Sequence, residues 1–183
     1  VGGAIAHDVS PTDSLGLTLY YTARSVSKSV NDTTYVSSTQ SQVFSEDRNI
    51  TQNGIVAILG WDHDWSEKWK VGASFRFPSL SVAGSADVER TQINNGVFDA
   101  PFAERDLTTK ARIPWKMAVG VAYVDPGSLK WAFDVNAYGA DSYGDLEDET
   151  ISEKIEQRQV VNFQTGLENI WRDWLRTRVG VFT

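Results

Sequence analysis

The chain of 183 residues sets 24 acidic against 17 basic side chains, for a formal charge of −7, and contains no cysteine. That balance excludes nucleic acid as a partner, since phosphate binding needs a basic stripe that the sequence lacks, and leaves no disulfide framework, thiolate metal site or thiol nucleophile. An aromatic content of 11% with seven Trp argues against disorder, because so much apolar surface has to be removed from water.

The start, VGGAIAHDVS, has no basic region leading into an apolar stretch, so it does not read as a secretory signal peptide. A turn follows at SPTDS (10–14), and Leu15 to Ala23 alternates apolar and polar residues with the period of a strand. Residues 25–52 are polar and rich in Ser, Thr and Asn, which predicts a long loop. The longest apolar run, Ile55 to Trp61, is far below the roughly 20 residues that a membrane-spanning helix requires. After a short turn at SEK (66–68), residues 69–77 place Trp, Val, Ala, Phe and Phe on odd positions against Lys70, Gly72, Ser74 and Arg76. A second long polar loop is expected over 83–110. From 113 to 123 the odd positions read Ile, Trp, Met, Val, Val, Tyr. After DPGS (125–128), residues 129–137 repeat the rule with Leu, Trp, Phe, Val and Ala against Lys130, Ala132, Asp134 and Asn136. A third long loop is expected over 141–158. Then Val161 to Leu167 and Leu175 to Val181 form the last hairpin about RD (172–173).

These segments make about eight strands in four antiparallel hairpins, tight at one end and loose at the other, in one unit spanning 1–183. That asymmetry marks transmembrane β-barrels, whose periplasmic turns are short and extracellular loops long. Trp61, Trp69, Tyr123, Trp131, Trp171 and Trp174 lie within a few residues of the short turns, as does Trp65, while Trp115 lies at the opposite strand end. Indole rings partition to membrane interfaces, so this clustering reads as an aromatic girdle. The competing reading is a soluble β-sandwich whose Trp residues plug the ends of its core. In a bilayer every backbone polar group must be paired within the protein, which requires a closed barrel. Met117, Val119, Val121, Trp131, Phe133 and Val135 are then expected to face lipid, and the charged positions between them a lumen.

Three hairpins resemble those of the FadL/TodX-type outer-membrane transporters. The first, LGWDHDWSEKWKVGASFRFPSLSVAG, matches at Gly60, Trp69, Gly72, Ser74, Arg76, Pro78 and Gly84. The second, IPWKMAVGVAYVDPGSLKWAFDVNAYGADS, matches at Pro114, Gly120, Trp131, Asp134, Asp141 and Ser142. The third, FQTGLENIWRDWLRTRVGV, matches at Gly166, Glu168, Trp174, Arg178 and Gly180. The resemblance implies passive uptake of long-chain fatty acids or other hydrophobic compounds across a Gram-negative outer membrane, with lipid and lipopolysaccharide as surroundings. It also implies an incomplete portion of a larger barrel, since the family's N-terminal plug and Asn-Pro-Ala motif are absent; a complete eight-stranded barrel is the alternative. Asn169 stands where the family usually has an aromatic residue.

Charges on the lumen parity are Arg24, Lys70, Arg76, Lys116, Lys130, Asp134, Glu168, Arg176 and Arg178. Arg76, Lys116, Asp134, Glu168 and Arg178 are the candidates for holding a ligand or shaping a passage, set against a self-neutralising ion-pair network that stiffens the wall. Gly72, Gly120, Gly166 and Gly180 share that parity and could admit close approach of another segment. The acidic stretch DLEDETISEKIEQ (145–157) lacks the order of a calcium loop and reads as a solvated loop. Of the two histidines, His7 and His63, only DHD (62–64) offers a local catalytic arrangement, and turn solvation explains it better. Two Asn-X-Thr triplets, at Asn31 and Asn49, carry no weight in a bacterial outer membrane. No catalytic residue, metal site or cofactor is read from the sequence. The second functional reading is a structural barrel that docks an envelope protein partner.

Overall fold

A computed structural model of the chain describes all residues except 38–39, 111, 126–127, 147–152 and 173. Its strands are β1 (Gly2–Ser10), β2 (Asp13–Ser37), β3 (Gln40–Asp64), β4 (Trp69–Arg76), β5 (Leu80–Asn94), β6 (Val97–Phe98), β7 (Phe102–Thr108), β8 (Lys116–Asp125), β9 (Leu129–Tyr138), β10 (Asp141–Gly144), β11 (Lys154–Gln157), β12 (Val160–Arg172) and β13 (Leu175–Phe182). The main antiparallel path runs β1-β2-β3-β4-β8-β9-β12-β13. Among the described residues β1 and β13 are its ends and do not pair with each other. Pro126, Gly127 and Asp173 of the expected turns, and the middle of the expected acidic loop, lie outside the described residues.

Register makes the two faces explicit. Directly opposed residues on neighbouring strands point the same way, and Leu15↔Trp61, Leu59↔Phe75, Phe75↔Met117, Val121↔Phe133, Val135↔Phe163 and Leu167↔Val179 are such pairs. One face of the wall is therefore bulky and apolar across every strand. It is also uncovered: Leu15, Leu19, Leu59, Met117, Phe163 and Leu167 each expose 43 to 50% of their surface. A sandwich would have buried these side chains beneath a second sheet. Among the described residues the buried hydrophobics are Val56, Ala86, Val88 and Leu146, none of them on this face. An apolar face of this extent, running across a paired antiparallel wall, is what a lipid-facing surface of a membrane barrel requires.

The indoles sit as an interface demands. Trp69 packs edge-on to Tyr123 at 5.0 Å and to Trp131 at 6.2 Å. The Nε1–H groups of Trp131, Trp171 and Trp61 donate to Thr165, Thr177 and Asp13 respectively, at 3.0, 3.0 and 3.2 Å. Phe75, Phe77 and Trp115 form a second aromatic cluster further along the strands. From Trp69 to Phe77 the chain advances about 26 Å at roughly 3.3 Å per residue, which after a strand tilt of about 35–45° rises roughly 20 Å, most of the height of a membrane barrel's apolar band.

The segments expected as long loops are largely strand. β2 and β3 are 25 residues each, far more than the roughly 9–11 that cross a bilayer, and hold unbroken register from Asp13↔His63 to Tyr35↔Ser41. Residues 83–110 supply most of β5 and all of β6 and β7, which extend the sheet beside β3. Asn95 and Gly96, with φ of 51° and 78°, close the β5–β6 hairpin in the left-handed conformation that a two-residue turn requires. Within 141–158, β10 and β11 form a separate two-stranded sheet. Polar composition marked these stretches as solvated, but solvated backbone groups still gain from pairing once a neighbouring strand is held alongside. The strand expected over 69–77 ends at Arg76; Pro78, which has no N–H to donate, interrupts what would be one strand of β4 and β5, both of which pair β3.

Candidate functional site

The other face of the wall has little side-chain volume in its middle. One cross-strand row reads Ala6, Gly16, Gly60, Ser74, Ala118 and Asn136; the next towards the turns is Ser14, Asp62, Gly72, Gly120 and Asp134; a third is Ala122, Ala132, Gly166 and Gly180. Two open hollows of about 560 and 510 Å³ lie along these rows. Glycine is required at one point for a stated reason: a Cβ on Gly120 would collide with the Asp134 carboxylate lying across it. Gly72 similarly lies under Asp62, whose Oδ1 would be 3.5 Å from an added Cβ.

The expected site residues divide into two groups. Near the turns, Glu168 accepts from Arg178 Nε at 2.5 Å and has Lys130 at 3.6 Å and Arg176 at 4.0 Å. This cluster braces β9, β12 and β13 to one another. Four rows further along, Arg76 and Lys116 are directly opposed on β4 and β8. Like charges in that position repel, and the described contacts supply no carboxylate to either. Arg76 donates from Nη2 to the Pro114 carbonyl at 3.2 Å while its Nε is buried without a partner. Lys116 Nζ lies 5.2 Å from the Tyr138 ring centroid. Asp134 stands between the two groups.

The DHD stretch has a structural environment. His63 Nδ1 is 2.8 Å from Asp13 Oδ1, its ring stacks on Trp61, and Ser10 Oγ donates to the other oxygen of Asp13 at 2.7 Å. The hydrogen bonds from Ser10, then His63, Thr12 and Trp61, hold the Asp13 carboxyl down to about 2, at the turn and outside the spanning segments. Asp13↔His63 is a cross-strand pair on the bulky face, so it borders the membrane interface rather than an enclosed site. Among the described residues no cluster of His, Asp and Glu could hold a metal ion.

A third group was not legible in the sequence. In the extension, Arg48 is buried among Glu46, Asp145 and Glu153, binding Asp145 at 2.9 Å through Nη1 and approaching Glu153 at 3.5 Å through Nη2; Glu46 also pairs with Arg90. Beside it, Gln52 Nε2 donates to Thr109 Oγ1 at 2.8 Å, and that hydroxyl donates to the Asp145 carbonyl at 2.5 Å. Burial alone would raise the Glu46 carboxyl, but the hydrogen bonds and charges of Arg48 and Arg90 outweigh it and hold the group below the usual carboxylate value. The sequence shows Glu46 and Arg48 on one parity of a polar stretch; it does not show that Asp145 lies against them.

With this geometry described, comparison with solved structures identifies the architecture. The chain superposes on the CymD monoaromatic hydrocarbon channel with a TM-score of 0.77 at 15% identity, covering 99% of this chain and 57% of that one. This wall has the fold of part of a transmembrane β-barrel. It also superposes on the Ralstonia pickettii toluene transporter TbuX (TM-score 0.71, 13% identity, 100% and 54% coverage) and on a TodX deltaS2S3 mutant monoaromatic hydrocarbon channel (0.73, 13%, 98% and 52%). The chain thus spans a little over half the length of these channels. No family model and no curated protein sequence matches it. The all-β transmembrane barrel expected from alternation is the observed class, and an open path between β1 and β13 accords with a portion of a larger barrel.

Proposed function

We propose that the chain forms part of the wall of a Gram-negative outer-membrane channel that admits hydrophobic compounds passively, and that it has no enzymatic role. The short turns then lie in the periplasm, the extension outside the cell, and the bulky face against lipid and lipopolysaccharide. One observation carries the reading: side-chain volume is concentrated on the lipid face, while rows of Gly, Ala and Ser leave the middle of the lumen face free for cargo. A self-contained structural barrel would fill that space with side chains. The solved channels with this fold are described as carrying monoaromatic hydrocarbons or toluene, which is consistent with an apolar passage.

The finer assignment is to compounds with an apolar body and a carboxylate, long-chain fatty acids among them. Arg76 and Lys116 are mutually repelling cations with no described acidic partner, so an anionic headgroup between them would relieve the repulsion. The cations around Glu168 are already engaged and serve the wall. Uptake of radiolabelled oleate and of toluene, measured in cells carrying the wild type or the R76Q/K116Q double variant, tests both levels. Loss of oleate uptake alone supports the carboxylate site; no uptake of either compound by the wild type removes the channel reading. A second role, docking an envelope protein, is favoured by exposed Tyr35, Val97 and Phe98 on the extension; a stoichiometric partner after isolation in mild detergent would support it.

A further inference from the structure

We propose that the bulky face carries a site for one phospholipid with a primary ammonium headgroup, the headgroup at the Asp13 carboxylate and an acyl chain in a hollow beside Ala73. The hollow follows from register. One row of the bulky face reads Leu15, Trp61, Ala73 and Val119, and the row deeper in the membrane reads Leu17, Leu59, Phe75 and Met117. Ala73 is the one small side chain among these, and beside it lies a depression of about 610 Å³ whose apolar walls include Trp61, Phe75 and Met117. That volume falls within the roughly 300–1,000 Å³ of ligand sites. A chain seated there meets side chains on its flanks as well as beneath it, where a flat wall offers only the latter.

The row on the turn side supplies the headgroup end. It contains Asp13 opposite His63, at the membrane interface. Asp13 accepts from the hydroxyls of Ser10 and Thr12 and from the Trp61 indole, at 2.7, 3.1 and 3.2 Å, and lies 2.8 Å from His63 Nδ1. None of these partners is an ammonium or a guanidinium. A second carboxylate on the same face near the turns, Asp125, is opposite Leu129 and binds Lys68 Nζ at 2.6 Å. The chain thus pairs one interfacial carboxylate with an ammonium of its own and leaves the other to its surroundings. At that depth the membrane supplies ammonium as a lipid headgroup, which can donate to the carboxylate, whereas an anionic headgroup would be repelled. One side chain joins the two ends of the site: Trp61 donates to Asp13, stacks on His63 and walls the hollow.

Native mass spectrometry tests the site on the intact protein in mild detergent, mixed with phosphatidylethanolamine and phosphatidylglycerol of identical acyl chains. The wild type is expected to retain one phosphatidylethanolamine and to hold it at least about tenfold more tightly than phosphatidylglycerol. D13N is expected to bind the two alike. A73L fills the hollow with a side chain still suited to lipid contact, and is expected to bind phosphatidylethanolamine at least about tenfold more weakly. A137L makes the same change on the bulky face outside the hollow, opposite Met117, and is expected to bind as the wild type does. Equal affinities of the wild type for the two lipids, a preference that survives in D13N, or equal binding by A73L and A137L would overturn the site; the first of these needs no variant to fold. The proposal rests on the lipid-facing position of the bulky face rather than on transport. Failure of that reading would be seen separately, as extraction of the protein by aqueous buffer without detergent.

Discussion

Replacing Val119 with arginine asks which solvent meets the bulky face. Val119 lies between Ala73 and Val135 in register and exposes 39% of its surface. It is four residues from Tyr123 in the turn-end girdle and four from Trp115 at the other, which places it near mid-depth. A cation at the midplane of a membrane barrel's lipid face costs about 2–4 kcal/mol, or roughly a 30- to 700-fold loss in the folding equilibrium at 1.4 kcal/mol per tenfold. At a water-exposed position of the same accessibility the cost stays within about 0.5 kcal/mol. Ala118→Arg, one residue away on the lumen face, is the internal control. Guanidinium titrations of the intact protein folded into lipid vesicles give both values. We expect V119R to be destabilised by at least about 1.5 kcal/mol more than A118R; equal costs would refute lipid contact on that face.

Further outcomes follow from individual contacts. Gly120→Ala is expected to displace the Asp134 carboxylate and lower thermal stability, and G120A/D134A to recover most of that loss, since the collision is removed; melting of the purified barrel in detergent checks both. Trp69→Ala removes an edge-on contact to Tyr123 and another to Trp131, each worth about 0.5–1.5 kcal/mol beyond burial, and should lower the folding free energy by about 1–3 kcal/mol in vesicles. Glu46 has a folded pKa below its unfolded value. Its stabilisation is therefore whole above the ordinary carboxylate value of about 4.3 and is lost as pH falls through the depressed value. Hydrogen-exchange protection factors, corrected for the intrinsic pH dependence of amide exchange, should fall over residues 44–52 and 84–90 on acidification below that range and stay constant between pH values above it. E46Q should abolish the acid-dependent step.

The barrel wall was legible because its physics is local. Alternation over 113–123 and 129–137 needs no knowledge of neighbours, and the girdle follows from where Trp69, Tyr123 and Trp131 fall relative to the turns. What was not legible depends on partners distant in sequence. β2 beyond Ala23 reads as loop because Ser, Thr and Asn satisfy their backbone in water as readily as in a sheet, and only the presence of β3 and β5 alongside decides the matter. Arg48 is an ordinary surface arginine until Asp145, 97 positions later, arrives against it. Parity placed Arg76 and Arg178 on one face but could not separate them: Arg178 meets Glu168, and Arg76 meets Lys116.

One strand obeys two rules in succession, and this explains why the extension folds at all. Along β3 from Ile55 to Trp61, apolar bulk points away from the lumen into lipid, and stability comes from backbone ladders that have no water to compete with them. Above Gln52 the same strand stands in water, and it is the inward face that is covered, by Ile50, Ala86, Val88, Leu107 and Leu146. The change occurs where Gly54 admits the Leu80 carbonyl, 3.1 Å from where a Cβ would be, where the β3–β5 register slips between Asn53 and Gly54, and where Val56 is fully enclosed. A small core on the inward face orders strands that have left the membrane, because it buries apolar surface without a second sheet outside. That core ties the order of the extension to the contacts of Arg48: R48Q should lower hydrogen-exchange protection in β5 and β7 along with β10 and β11, and leave the girdle and the wall below Ile55 intact.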